Sequence, residues 1–232
     1  MHQFINQLQY PGEFALHQKY SQAELLLDLV WTHCNIVADI ALQLIDAQTF
    51  DTTELPKDKV IQAALLHDIG VYACGGFEWI PGHPPSDKPY IQHTLIGAWI
   101  LQKEGYPPDI IQVAYVHTGV GLTSQDVTNY GLPLPPDEYM PTSPLQKLIT
   151  YAAKFHSKTP AFRTETEIVT SLERYGSDKV ERFRALQQEY GQPNLDALCT
   201  KYEEWHLAFN YQLKQLTQPS LNPNLQVSGI SL

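Results

Sequence analysis

Histidine and aspartate side chains that can hold a metal ion stand at four separate places in the sequence. His67 and Asp68 are adjacent in the segment ALLHDIG, and His33, His93 and His117 each lie in or beside another apolar segment. A buried carboxylate is costly unless a cation meets it. Imidazole and carboxylate ligands together suit Mn, Fe, Co, Ni or Zn. The pattern predicts a site for one or two divalent transition-metal ions with all five residues as ligands.

Asp68 has the central role in this prediction. A carboxylate has two oxygens, so Asp68 can bridge two ions, and we expect it also to orient a water as the catalytic residue. Two ions on either side of a water would generate a nucleophile at neutral pH and clamp a phosphoryl group. The chemistry that the residues suggest is therefore hydrolysis of a phosphate ester or anhydride.

Each residue taken alone also has an ordinary structural explanation. A single histidine on an apolar helix face more often packs in a core than binds a metal, and His67-Asp68 at a helix end can offset the helix dipole. The joint pattern favours a metal site, because a helix bundle brings side chains of facing helices together. His83 is left open, and the histidines expected at the surface or in packing are His2, His17 and His206.

Helical periodicity indicates how these residues are positioned. Apolar residues recur at spacings of three and four, and no stretch has the alternation typical of a strand. The predicted elements are helices at 21–47, 58–68, 91–104, 109–117, 124–130, 143–156, 164–175, 177–190 and 194–216, with a Gly- and Pro-rich loop at 72–89. The predicted fold class is all-α.

Local signals mark the ends of three of these helices. Ser21 and Glu24 have the spacing of a capping box, in which both side chains serve the first free amides. Gly70 is expected to end the second helix in a left-handed conformation. Ser143-Pro144 indicates an N-cap followed by proline at the first helical position.

The composition limits the classes of function. There are 25 acidic and 15 basic residues, a formal net charge of −10, and 43% of the residues are hydrophobic. We expect a globular protein without a nucleic-acid polymer as partner, because binding to the phosphate backbone needs a basic face. The partner is expected to be a small phosphorylated substrate.

Cysteine usage and the apolar segments bear on location. The three cysteines are widely spaced, which favours a reducing compartment and argues against a thiolate zinc site. No signal peptide is evident, and the apolar stretch at 25–31 is interrupted by Asp28 and too short to span a bilayer. The expectation is a cytoplasmic protein without a membrane partner.

These motifs resemble the HD-domain superfamily of metal-dependent phosphohydrolases. The resemblance rests on His33, on His67-Asp68 in HDIG, on His93 in QHTLIGA and on His117 in VHTGVG, and it runs over residues 21–158. It implies an all-α HD-domain bundle. It also implies that His33, His67 and Asp68 hold the first metal, and that His93 and His117 hold the second with Asp68 shared.

The resemblance also divides the chain and assigns its remainder. Residues 1–160 are expected to form the HD-domain helical core. Residues 161–216 are expected to be a helical extension packed on that core, and residues 217–232 a loosely ordered tail.

One ligand of the family is missing from this chain. The family's last aspartate stands in a segment that here is Thr150-Tyr151-Ala152-Ala153-Lys154, at the position of Ala153. Alanine cannot ligate, so we expect weaker binding of the first metal and lower turnover, with substrate binding retained.

Three lysines are candidates for binding an anionic substrate. Lys88 lies in the long loop, and Lys154 and Lys158 are one helical turn apart, so they can share a helix face. A solvated basic edge at a helix C-terminus explains the last two equally well.

The function expected from the residues and the resemblance is metal-dependent hydrolysis of a nucleotide or another small phosphorylated metabolite. Two alternatives stay open. The same ligands can hold redox iron, as in di-iron HD-type oxygenases, and Ala153 suits a non-catalytic nucleotide-binding or regulatory protein.

Overall fold

The computed structural model describes residues 5–47 and 54–217. Within them the chain forms ten α-helices, and the predicted all-α class is confirmed. The helices are α1 Pro11–Tyr20, α2 Glu24–Asp46, α3 Lys57–Leu66, α4 His93–Lys103, α5 Pro108–Val116, α6 Ser124–Asn129, α7 Pro144–Ala152, α8 Glu165–Glu173, α9 Ser177–Tyr190 and α10 Leu195–Thr217.

Short elements connect some of these helices. Three 3-10 turns lie at Ile69–Ala73, Tyr90–Gln92 and Ala153–Phe155. The strands β1 His156–Ser157 and β2 Ala161–Phe162 pair in antiparallel fashion, with His156 opposite Phe162. This hairpin was not predicted, because two residues are too few for a periodic pattern.

Helix α2 is the central helix of the fold. By length and composition it could cross a membrane, but 83% of its most apolar 18-residue segment is buried inside the protein. Side chains such as Leu26, Ile36 and Ile40 are fully buried. The helix is apolar nearly all round because other helices surround it, as in the core of a soluble domain.

The start of α2 differs from the prediction. Ala23 is the N-cap and provides no side-chain hydrogen bond, while the Ser21 hydroxyl donates to the Ala23 carbonyl at 2.9 Å. The predicted capping box is therefore wrong, because Ser21 lies two positions before the N-cap and is too early to serve the helix. The predicted cap of α7 is confirmed: Ser143 accepts from the Gln146 amide, and Pro144 is the first helical residue.

Gly70 also has a different role from the predicted one. It lies inside the 3-10 turn Ile69–Ala73 and is not among the glycines with positive φ. A Cβ atom at Gly70 would overlap the His93 carbonyl oxygen and lie 2.5 Å from the Gly97 amide nitrogen. The glycine is needed because its backbone packs directly against α4.

The last three helices share the hydrophobic core with the first seven. Ile168 of α8, Phe183 of α9 and Tyr202 of α10 are buried in it. Trp205 of α10 donates its indole N–H to the carboxylate of Asp28 in α2, at 3.1 Å. Residues 218–232, which make up most of the predicted tail, lie outside the described residues.

Candidate metal centre

The five predicted ligands form one buried cluster around the carboxylate of Asp68. The Nε2 atoms of His33 and His67 each lie 3.1 Å from Asp68 Oδ2. The Nε2 atoms of His93 and His117 lie 3.4 Å and 3.3 Å from Asp68 Oδ1. None of the five residues is more than 4% exposed. The donor atoms thus form two sets of three that share Asp68.

Four helices bring these ligands together. His33 lies within α2, His67 directly follows α3, and His93 is the first residue of α4. His117 directly follows α5. The tight packing of α4 on the turn at Gly70 places His93 beside Asp68. The cluster therefore depends on how the helices pack, and not on one local segment.

Three of the histidines are oriented by their own backbone. The Nδ1 atom of His67 donates to the Ala64 carbonyl at 2.7 Å. His93 and His117 make the same bond to the carbonyl three residues earlier, at 2.6 Å and 2.9 Å. A proton on Nδ1 leaves a lone pair on Nε2, which is the tautomer that a metal ligand needs.

The result is a cluster with excess electron pairs. His93 Nε2 and His117 Nε2 lie 3.0 Å apart, and with both protons on Nδ1 their lone pairs face each other. His67 Nε2 and Asp68 Oδ1 are buried without a hydrogen-bond partner. Buried polar atoms are rarely left unpaired, and a divalent cation satisfies all of these atoms. The residues present therefore fit a metal ion.

The charge states also suit metal binding. Burial lowers the pKa of His33 and of His93 to about 3, and that of His117 to about 4. Burial alone would raise the pKa of Asp68, but the Lys158 ammonium and the neighbouring histidines hold it well below its usual range. Neutral imidazoles and an ionised carboxylate are the forms that bind a metal.

Lys158, predicted to bind substrate, lies at the cluster itself. Its Nζ atom pairs with Asp68 Oδ2 and lies 5.6 Å from the centre of the Tyr90 ring. Burial would lower the pKa of Lys158, but the attraction of Asp68 raises it above its usual value. Lys158 is therefore a cation at the oxygen that His33 and His67 also face.

Lys154 does not share a helix with Lys158. Helix α7 ends at Ala152, and the chain continues through a 3-10 turn into β1, so the prediction that the two lysines share a helix face is wrong. Lys154 is partly buried and borders a cavity. Burial, with Arg163 nearby, lowers the pKa of Lys154 to about 7. Lys88 is exposed in its loop, and its role in substrate binding stays a prediction.

Ala153 is the position at which the resemblance predicts a missing ligand. It follows the last residue of α7 and packs, partly buried, against the hydrophobic core. Its methyl group offers no donor atom. The first set of ligands consists of His33, His67 and Asp68.

A chain of histidines that the sequence did not predict lies behind the cluster. His33 Nδ1 lies 2.9 Å from His156 Nδ1, and His156 Nε2 lies 3.1 Å from His206 Nε2. If His33 directs its Nε2 lone pair at the cluster, its Nδ1 donates to His156, which in turn donates to His206. The expectation that His206 only packs or lies at the surface is thus corrected: it connects α10 to a ligand.

The other histidines have structural contacts. His17 is buried, with its ring nitrogens 2.7 Å from the Tyr72 hydroxyl and 2.8 Å from the Leu65 carbonyl, so it packs as predicted. His83 ties its loop together through the Cys74 carbonyl at 3.2 Å. His2 lies outside the described residues.

Comparison with known families gives a match over the cluster. A family model described as "HD domain" matches residues 30–158, which is more than half of the chain and includes all five residues of the cluster. No solved structure gives a significant match.

Curated relatives share part of their length with this chain. A tRNA (cytidine(56)-2'-O)-methyltransferase of Picrophilus torridus is 29% identical over 127 residues, 54% of this chain and 30% of that protein. A protein of the same name from Thermoplasma volcanium is 25% identical over 178 residues, 76% of this chain and 45% of that protein. An uncharacterized protein of Methanocaldococcus jannaschii is 29% identical over 120 residues, 52% of this chain and 62% of that protein. The chain spans less than two thirds of each.

Proposed function

Because the chain belongs to the HD-domain family, we propose that it is a metal-dependent phosphohydrolase that acts on a nucleotide or another small phosphorylated metabolite. The observation that carries the proposal is the pair of ligand sets that meet at the two oxygens of Asp68. The proposed cofactor is one or two ions of Mn, Fe, Co, Ni or Zn, which accept mixed imidazole and carboxylate ligands. A bound ion of this kind stabilises charge on a phosphoryl group and acidifies a coordinated water.

The residues of the chain have separate tasks in this proposal. The four histidines hold their Nε2 lone pairs in place, three of them through backbone carbonyls. Asp68 would be the catalytic residue, because its oxygens can accept a hydrogen bond from a water and orient it. Lys158 can offer its ammonium to a phosphoryl oxygen, since it is the most exposed group in contact with Asp68 at 13% side-chain exposure.

The proposed partner is a small molecule and not a nucleic-acid polymer. The net charge of −10 opposes binding to a phosphate backbone. The methyltransferase name of two relatives describes proteins of which this chain spans less than half. We therefore rest the proposal on the cluster and its family.

A second candidate function is non-catalytic binding of a nucleotide. Two observations favour it: Ala153 contributes no ligand, and the Lys158 ammonium pairs with Asp68 Oδ2. A lysine at that oxygen opposes the first ion by charge repulsion. Such a protein would bind its ligand without turning it over.

The test is release of phosphate from a panel of phosphate esters and anhydrides, with each of the five metals supplied in turn. We expect metal-dependent release, loss of release in His67→Ala, and higher turnover in Ala153→Asp. Lys103→Gln, at the exposed end of α4, is the matched control and should behave as wild type.

Other outcomes would change the proposed function. If neither the wild type nor Ala153→Asp releases phosphate, hydrolysis is the wrong reaction. Oxygen-dependent turnover of the iron-loaded protein would indicate an oxygenase. Thermal stabilisation by nucleotides without turnover would indicate a binding protein.

A further inference from the structure

We infer that a basic cavity beside the metal cluster binds a second phosphate group of the substrate, apart from the one that reacts. The inference rests on the proposed function for the identity of the reacting group. The position of the cavity, its charge and its unpaired polar groups support the second phosphate site independently. It gives the last helices of the chain a part in substrate binding.

The cavity lies between the cluster and helix α8. It has a volume of about 850 Å³, within the range of roughly 300–1,000 Å³ that small-molecule sites occupy. One wall consists of direct neighbours of the cluster: Tyr90, whose carbonyl anchors His93, Thr118 next to His117, and Ser157 next to Lys158. The opposite wall is the face of α8 at residues 166–172.

Three basic side chains of this cavity form no direct ion pair, and the Glu167 carboxylate acts on Arg163 only through space. Lys154, Arg163 and Arg174 line it, and among the described residues no ion pair involves any of them. Arg163 is held by α8, since its Nη2 atom donates to the Ser171 hydroxyl at 2.8 Å and to the Glu167 carbonyl at 3.2 Å. Unpaired cations facing one cavity attract anions.

The other charged side chains that line the cavity, Lys179 and Glu167, already have hydrogen-bonded partners. Lys179 pairs with Asp126 at 2.7 Å and with Asp178 at 2.6 Å. The carboxylate of Glu167 caps α8, because it accepts from the amide and hydroxyl of Thr164 at 2.7 Å and 2.8 Å. The cavity thus keeps a positive excess in a protein whose net charge is −10.

A phosphate fits this excess better than a carboxylate does. The two guanidinium groups, with Lys154 as a third basic side chain, suit the two charges of a terminal phosphate better than the single charge of a carboxylate. Guanidinium groups also bind phosphate oxygens in a bidentate manner. The Thr118 hydroxyl is buried without a hydrogen-bond partner, and it lies on the wall nearest the cluster. The ligand class is therefore a small molecule with at least two phosphate groups.

The experiment measures binding of inorganic pyrophosphate to the full chain in excess EDTA by calorimetry. The chelator removes metal, so that binding reports the cavity. We expect Arg174→Gln and Lys154→Gln each to weaken binding by about tenfold, the effect of one charge-assisted hydrogen bond. Arg174 is exposed, so its variant should fold normally. Lys103→Gln removes the same charge outside the cavity and should bind as wild type.

Several results would overturn the inference. These are no binding of pyrophosphate by the wild type, unchanged binding by both cavity variants, or equal weakening in Lys103→Gln. Tighter binding of citrate than of pyrophosphate would overturn the choice of phosphate.

The same experiment separates the inference from the proposed hydrolysis. His67→Ala damages the metal site and should still bind pyrophosphate in EDTA like the wild type. If the binding pattern holds while no metal yields phosphate release, the hydrolase proposal fails and the cavity assignment stands. If phosphate is released but the cavity variants bind pyrophosphate normally, the cavity assignment fails and the hydrolase stands.

Discussion

The two halves of the cluster share one carboxylate but are held in place differently. In the second half, His93 and His117 face Asp68 Oδ1, and each is oriented by a carbonyl three residues earlier. In the first half, His33 and His67 face Asp68 Oδ2, and His33 depends on His156, which is 123 residues away. The second half is thus oriented by local backbone geometry, while the first also needs the hairpin and α10.

The halves also differ in charge. Lys158 pairs with the oxygen of the first half, and Ala153, where the resemblance predicts an aspartate in the family, offers no donor atom. The second half has no such cation on its oxygen among the described contacts. We therefore expect the half with His93 and His117 to bind metal more tightly and to take the first equivalent added. The half with His33 should bind the second equivalent, and more weakly.

The largest effect is expected from Asp68→Asn, which removes the ligand that both halves share. Metal affinity should fall by more than roughly 100-fold at both, beyond the 10–100-fold typical of losing an outer-shell partner. Calorimetry with Mn²⁺ measures it, and Asp109→Asn on the surface is the matched control. Retention of either equivalent in Asp68→Asn would contradict the shared-carboxylate arrangement.

The next effect distinguishes the halves. His117→Ala should weaken the first Mn²⁺ equivalent by about 100-fold, whereas His33→Ala should leave it within about tenfold of the wild type and reduce the second. The same titration measures both variants. The reverse order of sensitivities would show that Lys158 and Ala153 do not decide which half fills first.

Lys158→Met should act in the opposite direction. Without the ammonium, the second Mn²⁺ equivalent should bind about tenfold more tightly, because no cation competes for Asp68 Oδ2. The metal-free protein should melt at a lower temperature, since the buried Asp68 loses its counter-charge, and metal should restore the Tm. Lys103→Met is the control for the charge change. If the affinity for the second Mn²⁺ equivalent were unchanged, Lys158 would not explain the difference between the halves.

The smallest effect is expected at the outer end of the histidine chain. His206→Phe should weaken the second equivalent by roughly threefold to tenfold, because His156 loses the acceptor that fixes its tautomer and that of His33. Nitrogen NMR of the His33 ring should show a shifted tautomer population, which mere loss of packing would not cause. In a His33→Ala background, His206→Phe should have no further effect on metal affinity.

The five residues of the cluster were predictable because their residue types stand beside apolar helices that must be buried. The all-α class followed from the same periodicity. The helix α1 was missed, although Phe14 and His17 are buried in it, since its apolar residues form no continuous stripe.

Contacts between distant segments were beyond sequence reasoning. Nothing in the spacing of His156 and His206 signals a contact across 50 residues. The end of α7 at Ala152 was also not predictable, because pairing of His156 with Phe162 replaces the helix there. Because of that change of backbone, Lys154 and Lys158 do not share a helix face.

Gly70 sets the clearance between the 3-10 turn and α4. Because Gly70 has no Cβ, the turn lies against the first carbonyl of that helix. The spacing between Asp68 and His93 therefore depends on the absence of a side chain at position 70. In the segment from His67 to Gly70, His67 and Asp68 provide donor atoms, and Gly70 allows the close contact with α4. A larger residue at position 70 would move His93 away from Asp68. Metal binding would then weaken, although all five residues of the cluster would be unchanged.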